Sequence, residues 1–202
     1  MAPLVMIFLK AARPGTVKTR LGRDIGDLDA TLIYRDLAES QIKRIPSTFE
    51  LEVHYSPVGA RDEMRNWLGS QRRYRVQRGA TLGARLGRAF ALAFLRGHER
   101  VLAIGADCPD LDEDCLQRAS ALLDSSDVVI GPARDGGYYL VGLREPMPRL
   151  FVDIPWSTDR VLAFTLSRAE SEGKSVALLD SKEDIDDLAA LNRHRRRRLK
   201  TR

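Results

Sequence analysis

Cysteine is scarce. Only Cys108 and Cys115 occur in 202 residues, and they form neither a C-x-x-C pair nor a zinc-ligand spacing. Two thiols make a poor disulfide framework, which excludes a disulfide-stapled scaffold and points to a reducing cytoplasm. Histidine numbers three, and none stands beside Cys108 in sequence, so Cys108 is read as a small buried filler rather than a nucleophile. No apolar run approaches the ~20 residues of a membrane span. The run at 4–9 is too short for a signal-peptide core and lacks a cleavage site, so it is read as a strand. The G-x-x-x-x-G-K-[ST] spacing of a Walker loop is missing. There are no internal repeats and no low-complexity linker.

What is present is the composition of a soluble globular domain, 44% hydrophobic and 30% charged. The net charge of +5 is unevenly placed: residues 193–202 hold seven Lys or Arg and no acid, so the rest of the chain is slightly acidic. The expected organisation is a single domain over 1–192 and a basic, disordered tail over 193–202. Phosphate binding to nucleic acid through that tail is the competing reading.

Strand-like runs alternate with helical ones. Residues 3–9 form a continuous apolar run suited to a strand buried on both faces. A basic loop follows with Lys10, Arg13, Lys18 and Arg20, either a phosphate cradle or a solvated loop. A helix is expected at 28–45, ended by Pro46, then a strand at 49–55, a short helix closing at Gly69 and a short strand at 73–78. Gln77-Arg78-Gly79 leads to a helix that starts near Gly83 and ends at Gly97. A strand at 101–106 runs into Asp107-Cys108-Pro109, a helix at 112–124 follows, and strands at 127–132 and 138–143 flank Arg134-Asp135-Gly136-Gly137. Trp156 lies in a Pro-bounded loop where it either covers a substrate or plugs the core. A helix then runs to Gly173, a strand covers 175–179, and a last helix opens at about 183. This alternation predicts a three-layer α/β/α domain with a mostly parallel sheet. Ligands of such sheets sit beyond the carboxyl ends of the strands, which puts Asp107 and Asp135 on one rim. A carboxylate just past a strand end suits a hard cation such as Mg²⁺ or Mn²⁺. Asp110, Asp112, Glu113 and Asp114 lie near a helix start and are read as caps and dipole partners.

The stretches V-K-T-R-L at 17–21, Q-R-G-A-T-L-G-A-R-L at 77–86, I-G-A-D-C-P-D-L at 104–111, G-P-A-R-D-G-G-Y-Y-L-V-G-L at 131–143 and I-P-W-S-T-D-R-V at 154–161 resemble the bacterial glycosyltransferase-like family called rSAM/selenodomain-associated transferase. That family belongs to the nucleotide-diphospho-sugar transferase superfamily with its GT-A fold. The resemblance implies a metal-dependent transferase with a nucleotide-sugar or nucleoside triphosphate donor and a small-molecule acceptor. It implies that Asp107 binds the metal and that Lys18, with Arg20 beside it, contacts nucleotide phosphates. It also implies that Asp135, with Gly136 and Gly137, lies on the substrate side. Many relatives open the last helix with D-V-D-T-P-E-D-L. Aligning L-L-D-S-K-E-D-I with it makes Asp180 the second metal ligand and leaves Leu178 where the first aspartate belongs. That gap supports the alternative of a nucleotide-binding protein that has lost part of its metal site. The first loop also lacks the G-x-G-x-R-M pattern of true nucleotidyltransferases.

Overall fold

A computed structural model describes residues 1–200 of the chain. Its seven strands are β1 (Leu4–Lys10), β2 (Glu50–Ser56), β3 (Arg73–Val76), β4 (Val101–Ile104), β5 (Val128–Pro132), β6 (Tyr138–Leu143) and β7 (Val176–Leu178). They form one sheet in the order β3-β2-β1-β4-β6-β5-β7, in which only β6 runs antiparallel to its neighbours. The helices are α1 (Thr19–Ile25), α2 (Asp27–Lys43), α3 (Arg61–Leu68), α4 (Leu82–Leu95), α5 (Glu113–Leu122), α6 (Val161–Ser171) and α7 (Leu188–Lys200). This is the α/β arrangement with a mostly parallel sheet that the alternation of strands and helices predicts.

The apolar run of β1 shows why the sheet is central. Successive strand side chains point to opposite faces. Val5, Ile7 and Leu9 enter a core cluster with α2 and α5 residues, and Leu4 and Met6 enter a second cluster with α4 residues. A strand with no polar alternation is thus covered on both faces. Strands β1, β4 and β5 run the same way, so the segments after Lys10, Ile104 and Pro132 leave the sheet at the same edge.

Three sequence expectations are corrected. Helix α1 occupies part of the expected basic loop. Its seven residues carry only Leu21 and Ile25 as large apolar groups, too few to show a helical period. The last helix opens at Leu188 rather than near 183, because the Asp187 carboxylate accepts the Ala190 N–H at 2.8 Å and caps it there. Residues 193–200 continue α7 instead of forming a disordered tail. Arg193 and Arg197 both pair with Glu183, and Arg197 also reaches Asp110 at 3.3 Å, so part of the basic charge is neutralised within the fold. Residues 201–202 lie outside the described residues.

Candidate active site

The rim above β1 and β4 holds a cavity of about 540 Å³. Lys10, Lys18, Arg20, Gln77 and Asp107 line it, together with Asp186, which sequence reasoning missed. Lys18 is the focal group. Its side chain is only 4% exposed, and its Nζ lies 2.6 Å from Asp107 Oδ1 and 3.0 Å from Asp186 Oδ1. Burial alone would lower its pKa, but the charges of Asp107 and Asp186 outweigh burial and raise it. Lys18 also adopts a left-handed backbone, φ 49° and ψ 40°, at the entry to α1. That conformation costs a non-glycine residue about 1 kcal/mol, a strain typical of functional sites.

Asp107 lies three residues beyond the end of β4. Its Oδ1 is buried from water and meets the Lys18 ammonium at 2.6 Å. The segment Asp184-Ile185-Asp186 is tied to it by the backbone: Ile185 N–H donates to Asp107 C=O at 2.9 Å. Ile185 is buried with Leu21, Ala30 and Leu191. In this non-helical stretch, one apolar anchor directs both flanking carboxylates towards the rim. Asp184 Oδ1 is also buried, without a hydrogen bond. Burial, then repulsion from Asp107, Asp186 and Asp135, pushes the Asp184 carboxyl up to about 7, with Lys18 opposing. Asp107 and Asp186 therefore flank one buried ammonium, and Asp184 feels their charge and that of Asp135.

Other expected residues serve different ends. Asp180 lies apart, 84% exposed, with Arg118 at 3.3 Å, in a smaller cavity shared with Asp112 and Asp114. The aspartate pair of the resemblance is therefore better matched by Asp184-Ile185-Asp186, ahead of the α7 cap, than by Leu178 and Asp180. The D-I-D spelling at 184–186 was the available signal; the assumed helix start at 183 hid it. Arg13 turns away to a paired contact with Glu63, at 2.9 and 2.5 Å, outside the cavity. Gln77 donates to the carbonyls of Leu9 and His54 at 3.1 and 2.8 Å, fixing the ends of β1 and β2 below the cavity.

The Gly136-Gly137 turn has its own structural reason. Gly136 has φ +87°, and a Cβ there would lie 2.0 Å from Asp159 O. Asp135 Oδ1 accepts the Gly137 N–H at 2.9 Å, so its carboxylate is engaged in the turn while its charge still acts on Asp184. Gly83 is buried in α4, where a Cβ would meet Phe151 O at 2.3 Å and Trp156 Nε1 at 2.8 Å. Trp156 packs on that glycine and edge-on to Tyr138, outside the cavity lining, which favours the core-plug reading over the substrate cover. Tyr34, not anticipated, lines the cavity; its hydroxyl accepts the Lys10 N–H at 2.8 Å and donates to the Lys10 C=O at 3.2 Å. Asp112 caps α5 by accepting the Cys115 N–H at 2.9 Å, as its position implied. Among the described residues no set of three or more His, Cys, Asp or Glu side chains stands ready to cage an ion; Lys18 Nζ lies between two of the rim carboxylates.

Comparison with solved structures agrees with this fold. A candidate nucleotide-diphospho-sugar transferase from Desulfovibrio desulfuricans G20 is 33% identical, with a TM-score of 0.91 over 95% of this chain and 85% of that one. A nucleotidyl transferase from Methanothermobacter thermautotrophicus superposes over 100% of both chains with a TM-score of 0.63 at 19% identity. Rv0371c from Mycobacterium tuberculosis H37Rv, in complex with manganese, gives a TM-score of 0.54 at 16% identity over 95% of this chain and 97% of that one. The latter two share the fold. No curated protein matches the sequence. Residues 43–158 match the model of the family described as uncharacterized protein conserved in bacteria (DUF2064), and the chain belongs to that family.

Proposed function

We propose that the protein is a transferase that binds a nucleotide donor, a nucleotide sugar or a nucleoside triphosphate, in the 540 Å³ cavity, with Mg²⁺ or Mn²⁺ on the rim carboxylates. The observation that carries this is the placement of Lys18, a buried ammonium between Asp107 and Asp186 on the floor of a cavity at the strand ends. Positive charge held there in low dielectric needs no reorganisation when negative charge grows on a leaving phosphate. Arg20, exposed in the same cavity, supplies a second cation for the outer phosphates.

The donor set fits a hard divalent cation. Asp107, Asp184 and Asp186 offer oxygens only, and one buried oxygen of Asp184 lacks a hydrogen bond. Asp107 and Asp186, the two that line the cavity, would hold the ion, which would supply Lewis-acid charge next to the phosphates. Asp184 is the residue whose protonation the ion would displace. The Desulfovibrio relative and the manganese complex of Rv0371c support the same class of chemistry. The rival reading, a nucleotide binder without chemistry, was motivated by the missing carboxylate at Leu178; the aspartates at 184 and 186 favour the catalytic reading, and turnover separates the two.

The test is donor turnover. Purified protein is incubated with nucleoside triphosphates and nucleotide sugars, with Mn²⁺ or with chelator, and products are read by mass spectrometry. We expect metal-dependent release of a nucleotide product, with a loss of at least ~100-fold in Asp107→Asn. Turnover that is indifferent to chelator and to Asp107→Asn contradicts the proposal.

A further inference from the structure

A second cavity, of about 200 Å³, opens beside the first, between the edge strand β3 with its following loop and one face of α4. Five guanidinium groups line it, from Arg75, Arg78, Arg85, Arg88 and Arg96, and no carboxylate does. Gln77 and Arg85 line both cavities, so the two adjoin.

The charge is not accidental surface decoration. Arg85, Arg88 and Arg96 recur at helical spacing on the face of α4 that also carries Ala89 and Leu92. Like charges at i and i+3 destabilise a helix by a few tenths of a kcal/mol, and no acid in the first or last turn of α4 relieves them. Behind the cavity one carboxylate, Glu52, is 1% exposed and fixes two of the cations: Arg96 at 2.9 Å and Arg75 at 3.3 Å, with His54 Nε2 at 3.2 Å. Burial would raise the Glu52 pKa, but the His54 hydrogen bond and the charges of Arg96 and Arg75 hold it at about 2, so the buttress is ionised. Arg85 spends its Nε–H on the neutral Gly79 carbonyl at 2.9 Å. Arg78 and Arg88 form no ion pair among the described residues, although both line the cavity. One negative charge therefore stands behind five positive ones.

We propose that this cavity is an anion-binding site for a small phosphorylated molecule, a phosphate ester or diphosphate, gripped chiefly by Arg78 and Arg88 with Arg75 and Arg96 held ready by Glu52. Guanidinium forks match phosphate oxygens bidentately, and a charge-assisted pair is about twice as strong as a neutral one. A concave site of this size, with Val76, Ala89 and Leu92 in its wall, encloses a phosphate group and its ester rather than tracking a polymer backbone. The site stands on this geometry alone and does not require the transferase reading.

Calorimetric titration of the metal-free full chain with pyrophosphate in low salt tests it. The double variant Arg78→Ala/Arg88→Ala binds at least ~10-fold more weakly than the wild type, while Arg61→Ala/Arg65→Ala, which removes the same charge from α3, binds as the wild type does. The first variant also melts at or above the wild-type temperature, since like-charge repulsion is relieved; a purely structural role would lower it. Equal weakening in both variants, or none in the first, overturns the proposal. So does retention of RNA without binding of pyrophosphate, which would make the cavity part of a nucleic-acid surface. Wild-type NMR gives an independent reading without any variant. Pyrophosphate shifts the Nε–Hε signals of Arg78 and Arg88 and leaves Arg61 in place, and no shift at those two arginines refutes the site.

Discussion

Asp184→Asn isolates the electrostatic strain at the rim. The Asp184 carboxyl is raised from 3.8 to about 7 by burial and by its acidic neighbours. Between those two values the folded protein keeps a proton that the unfolded chain has released. Rising pH therefore costs stability over that window, and the full cost is present above pH 7. At about 1.4 kcal/mol per pH unit this amounts to at most ~4 kcal/mol, and water at the open rim reduces it to about 2–4 kcal/mol. Asparagine keeps the shape and carries no charge. In chelator at pH 8, Asp184→Asn is expected to melt about 5–10 °C above the wild type, at 2–4 °C per kcal/mol for a domain of this size. At pH 4 both side chains are neutral and the difference vanishes. Added Mn²⁺ raises the wild type and moves the variant less, so the gap narrows. Differential scanning calorimetry at the two pH values, with and without metal, reads all three effects. A variant that is less stable at pH 8 without metal, or a gap of equal size at pH 4, refutes the reasoning.

Three further perturbations follow from the same geometry. Lys18→Met strands the facing carboxylates of Asp107 and Asp186 in a partly dry site; we expect a loss of about 1–3 kcal/mol in denaturant unfolding at pH 8 together with loss of nucleotide binding by calorimetry. Gly136→Ala sets a methyl 2.0 Å from Asp159 O at φ +87° and is expected to cost on the order of 3 kcal/mol in the same assay; an unchanged midpoint would show that the turn yields freely. Asp186→Ala weakens Mn²⁺ binding at least ~10-fold, whereas Asp180→Ala, whose carboxylate faces Arg118, leaves it unchanged; the reverse order would restore the original alignment of the last motif.

Much of this fold is legible in the chain because its strands are buried on both faces. The β1 run carries no polar alternation, so both its identity and its central position follow from composition. Asp107 was legible for the same reason: a strand that ends abruptly at a Pro-bounded aspartate leaves little choice of rim. Arg13 was not, since nothing local reveals Glu63 fifty residues away as its partner. The end of the chain misled for two reasons. A cap is a single side-chain hydrogen bond, and Asp184, Asp186 and Asp187 all qualify by residue type; only packing of Ile185 against Leu21 and Leu191 decides among them. The basic tail looked disordered because its partners, Glu183 and Asp110, come from other segments. The Arg-lined cavity was hidden because its members derive from an edge strand, a loop and a helix that meet only in the folded chain.

The most direct test of the central claim is the anomalous scattering of Mn²⁺ in crystals grown with a nucleoside triphosphate or nucleotide sugar. The account predicts a single strong peak within bonding distance of Asp107 and Asp186, with donor phosphate oxygens against Lys18 Nζ. A peak beside Asp180 and Arg118, or a nucleotide bound away from Lys18, would contradict it.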